Sequence, residues 1–115
     1  MDRAFYSDRA GGGERFRLKP AACVVSARRA GTTAALDQML KYLTISEMPV
    51  VSSNYWPMVH GSKPEDVEKD LEGLQIMRIL GRNMAWLLKC KAAATAAGVT
   101  APDKEKKIAT NFIRG

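Results

Sequence analysis

Hydrophobic positions divide the chain into alternating extended and helical segments. Residues 21–26 (AACVVS) form a short continuous apolar run, and residues 49–53 (PVVSS) form a second one. Continuous apolarity over so few residues is typical of a strand in a parallel sheet that is covered on both faces. We therefore predict two adjacent parallel strands, joined by a right-handed crossover, and an α/β fold class.

The segment between the two runs predicts an amphipathic helix over 32–45. Either Thr32 or Thr33 is a good N-cap for its first turn. The apolar residues of this helix are spaced three and four apart, at Leu36, Met39, Leu40 and Leu43. A shorter helix is predicted over residues 2–7, because three glycines at 11–13 end any regular structure there.

A long helix is predicted over 64–97, after an aromatic and polar loop at 54–61. Ser62 and Glu65 have the spacing of a capping box at its start. Gly98 is a natural left-handed terminator at its end. A glycine inside a helix costs about 1 kcal/mol relative to alanine, so Gly81 predicts a close contact with the sheet.

Charge, cysteine content and hydropathy argue against several classes of function. The formal charge is +6, but the basic residues are scattered, and we do not expect a nucleic-acid-binding role. Cys23 and Cys90 are predicted to be buried thiols; with a single histidine they predict neither a disulfide framework nor a metal site. No apolar run has the length of a membrane span or the position of a signal peptide, which predicts a cytoplasmic protein.

Three stretches together resemble the flavodoxin-like NAD(P)H-dependent FMN reductase family. They are residues 19–33 (KPAACVVSARRAGTT), 48–61 (MPVVSSNYWPMVHG) and 72–86 (EGLQIMRILGRNMAW), with a further likeness in the closing TNFIR at 110–114. The resemblance implies a five-stranded parallel sheet of order 2-1-3-4-5 with helices on both faces. Residues 21–26 and 49–53 would be strands four and five, and 32–45 and 64–97 the fourth and fifth helices.

The same resemblance implies a flavoprotein oxidoreductase in which non-covalently bound FMN accepts hydride from NAD(P)H. The family's phosphate-binding loop follows strand one, and a second flavin-contacting loop follows strand three. Neither loop is present in this sequence. We therefore expect residues 1–115 to form the C-terminal part of a single flavodoxin-like domain, here a partial domain that binds FMN weakly or not at all by itself.

Ligands of open α/β sheets bind beyond the carboxyl ends of the strands, which places the expected cofactor contacts in two loops. The candidate FMN-binding residues are Ser26, Ala27, Arg28, Arg29, Gly31 and Thr32 in the first loop, and Asn54, Tyr55 and Trp56 in the second. An arginine near the N1–O2 edge of the flavin would stabilise its reduced anion. No catalytic acid, base or nucleophile is expected, because hydride transfer belongs to the cofactor.

Several of these residues have a structural alternative. Arg28 and Arg29 also fit a solvated loop pair, and His60 fits a loop or capping residue better than a proton donor. Tyr55 and Trp56 fit either a flavin stack or an oligomer interface, where aromatic residues are enriched.

Two strands are too few to close a core, so we expect a homodimer or homotetramer that buries Tyr55, Trp56 and part of 64–97. The alternative to an enzyme is a non-enzymatic flavodoxin-like fragment that acts as an oligomerisation or interaction module.

Overall fold

The computed structural model describes residues 1–110 and 112, and over these residues the chain has a mixed α/β fold. It contains four helices and one two-stranded parallel sheet. In chain order the elements are α1 (Asp2–Ala10), β1 (Val25–Ala27), α2 (Thr32–Ile45), β2 (Met58–His60), α3 (Pro64–Val67) and α4 (Leu71–Ala96).

The predicted parallel pairing is confirmed, but the predicted position of the second strand is wrong. Val25 lies opposite Met58, and the last residue of β1 lies opposite His60. The run at 49–53 contributes only an isolated parallel bridge, between Ala21 and Val50. In the run at 21–26, Ala21 forms this bridge and the short strand β1 begins at Val25. The second strand, β2, lies inside the segment predicted to be a loop.

Residues 52–57 leave the sheet between the two pairings. The first segment advances four residues from Ala21 to Val25, while its partner advances eight, from Val50 to Met58. The excursion is held by hydrogen bonds to α4. Ser53 Oγ donates to the Ile76 carbonyl at 2.7 Å, and Asn83 Nδ2 donates to the carbonyl of Ser52 at 2.8 Å. The second of these bonds occupies the Ser52 carbonyl, and both bonds hold residues 52 and 53 against α4.

The first helix is confirmed and extends to Ala10. It ends at the glycines, where Gly12 and Gly13 have φ values of 109° and 72°. Aromatic contacts attach it to the rest of the molecule: the Phe5 ring stacks on Phe16 with centroids 4.5 Å apart, and the Tyr42 hydroxyl donates to the Asp2 carboxylate. The hydrogen bond between Tyr42 and Asp2 joins α2 to α1.

The predicted helix over 64–97 is two helices. The capping box also lies one residue later than predicted, because Asp66 rather than Glu65 accepts the backbone N–H groups of Ser62 and Lys63, at 3.3 and 3.2 Å. The chain leaves helical geometry after Val67 and restarts at Leu71 with its own acidic N-cap, Asp70. Each helix therefore has a separate carboxylate for its first turn.

The end of α4 is confirmed at Gly98. This residue has φ of 85° and donates its N–H to the Thr95 carbonyl at 3.1 Å, while the Val99 N–H reaches the Ala94 carbonyl at 2.9 Å. These two bonds are those of a Schellman motif, which favours glycine in the left-handed position.

The close glycine contact in α4 occurs at Gly73, and the prediction for Gly81 is wrong. A Cβ atom at Gly73 would lie 2.8 Å from Val59 Cγ1 on β2 and would collide with the Asp70 carboxylate. A Cβ atom at Gly81 would meet nothing within 4 Å. The helix approaches the sheet at its first turn, because Asp70 joins it there to β2.

The core is small and the molecule is flat. The buried apolar residues are Cys23, Leu36, Leu43, Val51, Met58, Ile76 and Leu80. The radius of gyration is 17.7 Å and the principal extents are 52 × 46 × 22 Å. A compact domain of this length has a radius of gyration of about 13 Å. The described chain is therefore more extended than a compact domain of the same length.

Several large apolar side chains are exposed in the single chain. Trp86 on α4 is 67% exposed, and Cys90, one turn further on, is exposed instead of buried. Ile108 and Phe112, near the end of the chain, are also exposed. Of the closing stretch 110–114, residues 111, 113 and 114 lie outside the described residues. Among the described helices, none has both the length and the apolarity needed to cross a bilayer.

Candidate functional site

The loop over 28–31 connects the carboxyl end of β1 to the amino end of α2. Ala27 is the last residue of β1 and lies beside His60, so this loop occupies the carboxyl edge of the sheet. Gly31 is the N-cap of α2 and has φ of 93°, a left-handed conformation that favours glycine. The predicted threonine cap is therefore wrong: Thr32 is the first helical residue and is buried.

The electrostatics of this loop favour an electron-rich ligand. The first N–H groups of a helix have no partner within the helix, and their dipoles point outward. The first turn of α2 contains no acidic side chain to compete for them. Arg28 and Arg29 are exposed beside this turn, and neither takes part in an ion pair found among the described residues.

The second group of candidate residues lies in a different place. Asn54, Tyr55 and Trp56 precede β2, so they lie at its amino end instead of beyond the carboxyl end of a strand. They line a cavity of about 470 Å³, and no residue of the first candidate loop lines this cavity. The structure thus brings Ser26 through Thr32 together as one group and Asn54 through Trp56 as another, and does not join the two groups.

The cavity beside the second group is apolar. Its other lining residues are Cys23, Leu36, Leu40, Val50, Val51, Ser52, Ser53 and Pro57. The Tyr55 and Trp56 rings lie 5.0 Å apart at an angle of 50°, and each side chain is just over half exposed. Burial raises the pKa of the Cys23 thiol, one of the groups that line the cavity, and so favours its neutral form. A cavity of this size and lining suits a small apolar group.

Asp70 is a residue of this region that the sequence interpretation missed. Its carboxylate accepts the Gly73 N–H at 2.9 Å and the His60 N–H at 2.8 Å, and these two hydrogen bonds lower the pKa of Asp70, the bond from Gly73 most strongly. The His60 ring nitrogen Nδ1 lies 3.9 Å from the same carboxylate. Asp70 therefore fixes the carboxyl end of β2 to the start of α4. An aspartate three residues before Gly73 is an N-cap signal that the sequence already contained.

No protein-family model, curated protein or solved structure matches this chain. A functional interpretation therefore depends on its own residues and on the geometry of the loop over 28–31.

Proposed function

We propose that this chain is the C-terminal part of a flavodoxin-like, FMN-dependent NAD(P)H oxidoreductase, and that residues 26–32 contact the isoalloxazine ring. The observation that carries the proposal is the loop itself. It leaves the carboxyl end of a strand in a parallel pair, enters a helix through a left-handed Gly31, and presents two arginines that form no ion pair with any described residue. This is the place where open α/β sheets bind their ligands.

The residues fit one end of FMN and not the other. The flavin pyrimidine edge carries carbonyl and ring-nitrogen acceptors, which suit the free N–H groups of the first turn of α2 and the guanidinium groups of Arg28 and Arg29. The phosphate end needs a second loop between a strand and a helix at the same edge. Among the described residues, the segment after β2 leads only to the four-residue α3 and contains the acidic Glu65 and Asp66. The phosphate site would therefore come from another polypeptide segment.

In this proposal each residue has a defined role toward the ring. When bound, FMN supplies the chemistry, by accepting a hydride from NAD(P)H. Arg28 or Arg29 would hold the negative charge that reduction places at the N1–O2 edge. Gly31 sets the direction of the loop into α2, and buried Thr32 fixes the first turn behind it.

We expect the double variant Arg28→Ala/Arg29→Ala to weaken flavin binding about tenfold, since a hydrogen bond to a charged group contributes about 1.5–3 kcal/mol and part of this remains with the backbone N–H groups. The measurement is quenching of flavin fluorescence during titration. The matched control is Arg78→Ala/Arg82→Ala, which removes the same charge from the exposed side of α4 and should leave the affinity unchanged. Equal loss in both variants would show only a general charge effect.

A second candidate function, an oligomerisation or interaction module without flavin, is favoured by a separate observation. Tyr55, Trp56 and Trp86 are each more than half exposed, and Leu71 is 74% exposed. Exposed aromatic and apolar side chains on one small molecule are typical of a surface that another chain covers. Under this proposal copies of the chain form a homodimer or homotetramer through Tyr55, Trp56 and α4. Titration with flavin then gives no signal.

A further inference from the structure

The cavity of about 470 Å³ beside Tyr55 and Trp56 takes no part in the proposed flavin contacts. The most buried of its lining residues are Cys23, Leu36 and Val51, each less than a tenth exposed. Tyr55 and Trp56 also line it and are each just over half exposed, so they form its rim. A buried apolar interior below an aromatic rim is the usual composition of a small-molecule site.

The loop that carries the aromatic rim is held at both of its ends. Two side-chain hydrogen bonds fix Ser52 and Ser53 to α4, at 2.8 and 2.7 Å. At the other end, the Val25 N–H donates to the Pro57 carbonyl at 3.0 Å. A site whose walls are fixed in advance loses less conformational entropy when a ligand binds.

The cavity lies on the side of β1 that faces the second segment of the sheet. Residues 50–57 supply most of its lining, and α2 supplies Leu36 and Leu40. The proposed sheet order places strand three on the opposite side of β1, so a completed sheet would leave this cavity in place. A ligand in the cavity is therefore compatible with the proposed function.

The size and the lining identify the class of ligand. The volume is about three times the 150 Å³ or so that holds one benzene ring, which leaves room for two fused rings. None of the described residues that line the cavity has a charged side chain, so an ionised ligand would lose its hydration without compensation. Asn54, at the exposed end of the lining, has an amide that can donate a hydrogen bond.

We infer that this cavity binds an uncharged, planar molecule of two fused rings that packs against Trp56 and accepts a hydrogen bond from Asn54. Aromatic rings gain from packing on one another beyond the area that they bury, which selects a planar ligand. FMN does not fit this description, because its phosphate is charged and the cavity has no cationic lining residue among those described. The inference does not depend on flavin binding.

The test uses the full chain and three probes: coumarin, camphor and a coumarin carboxylate. Coumarin and camphor are uncharged, have the same number of non-hydrogen atoms and each carry a carbonyl, but only coumarin is planar. Binding is followed in NMR by the backbone amides and by the indole N–H signals of the two tryptophans, Trp56 and Trp86.

We expect coumarin to shift the Trp56 indole signal and the amides of residues 50–56, and to leave Trp86 unchanged. Camphor should bind up to about tenfold more weakly, which is the range of an aromatic contact. The carboxylate should bind at least about tenfold more weakly than coumarin, although the chain as a whole is basic, because it must enter the cavity without a counter-charge.

Two matched variants test the rim. Trp56→Ala should weaken coumarin binding about tenfold, whereas Trp56→Phe keeps an aromatic ring and should retain most of the affinity. Trp86→Ala removes the same side chain from α4, where it is 67% exposed and does not line the cavity, and should change nothing.

Four results would overturn the inference. They are absence of any coumarin shift at residues 50–56, equal binding of coumarin and camphor, equal loss in Trp56→Ala and Trp86→Ala, and a Trp56 signal that changes with protein concentration alone. The last result would mean that a second copy of the chain covers the cavity. FMN binding is scored separately, at Gly31 and Thr33, so that failure of one site is distinguished from failure of the other.

Discussion

FMN and riboflavin should bind this chain with nearly equal and weak affinity. The two ligands share the isoalloxazine ring and differ by the phosphate, and the loop over 28–31 offers contacts that suit the ring. A complete phosphate site supplies several charge-assisted hydrogen bonds of about 1.5–3 kcal/mol each, and each 1.4 kcal/mol or so changes the dissociation constant about tenfold. Without that site, FMN loses several orders of magnitude in affinity and its advantage over riboflavin.

The measurement is a pair of fluorescence titrations under the same conditions. Arg28 and Arg29 are the groups that can attract the phosphate in place of the ring, so both titrations are repeated with the double alanine variant. Submicromolar FMN binding with weak riboflavin binding would contradict the expectation. It would mean that the chain forms a phosphate site from residues that the fold keeps apart.

Gly73→Ala should destabilise the fold by about 1–3 kcal/mol, the usual cost of inserting a methyl group into a closely packed position. The new Cβ would overlap the Asp70 carboxylate and lie 2.8 Å from Val59 Cγ1, so α4 must move away from β2 or Asp70 must give up its two backbone hydrogen bonds. The free energy of unfolding is measured by urea denaturation.

Gly81→Ala is the matched control in the same helix. Its Cβ would meet no atom within 4 Å, so only the helix propensity changes, and the variant should be more stable by up to about 1 kcal/mol. A lower free energy of unfolding for Gly73→Ala and an equal or higher one for Gly81→Ala would support the contact between α4 and β2. A Gly73→Ala protein as stable as the control would show that the first turn of α4 does not pack as described.

Local signals predicted those parts of the fold that depend on neighbouring residues. The apolar spacing predicted α2, and the left-handed preference of Gly98 predicted the end of α4, because both effects act within one or two turns. The second strand could not be placed in the same way. Its apolar run at 49–53 is a good strand pattern, but in the structure residues 52 and 53 are hydrogen-bonded to α4, distant in sequence, and the pairing resumes at Met58.

The candidate site shows the same division between local and distant effects. The sequence placed Arg28 and Gly31 at a strand-to-helix turn, and the structure has this turn, since it depends only on β1 ending where α2 begins. The sequence also placed Tyr55 beyond the end of a strand. This prediction is wrong, because β2 begins after Tyr55, at Met58. Asp70 was missed because its role joins a helix start to His60, ten residues earlier in the chain.

The most direct test of the proposed function is a map of the backbone amide signals during FMN titration. If the ring binds at the carboxyl edge, the largest shifts occur at residues 26–33, with Gly31 and Thr33 prominent because their N–H groups belong to the cap and first turn of α2, while Tyr55 and Trp56 change little. Shifts confined to the cavity beside Tyr55 and Trp56, or no shifts at a millimolar concentration of FMN, would contradict the proposal that this loop is a flavin site.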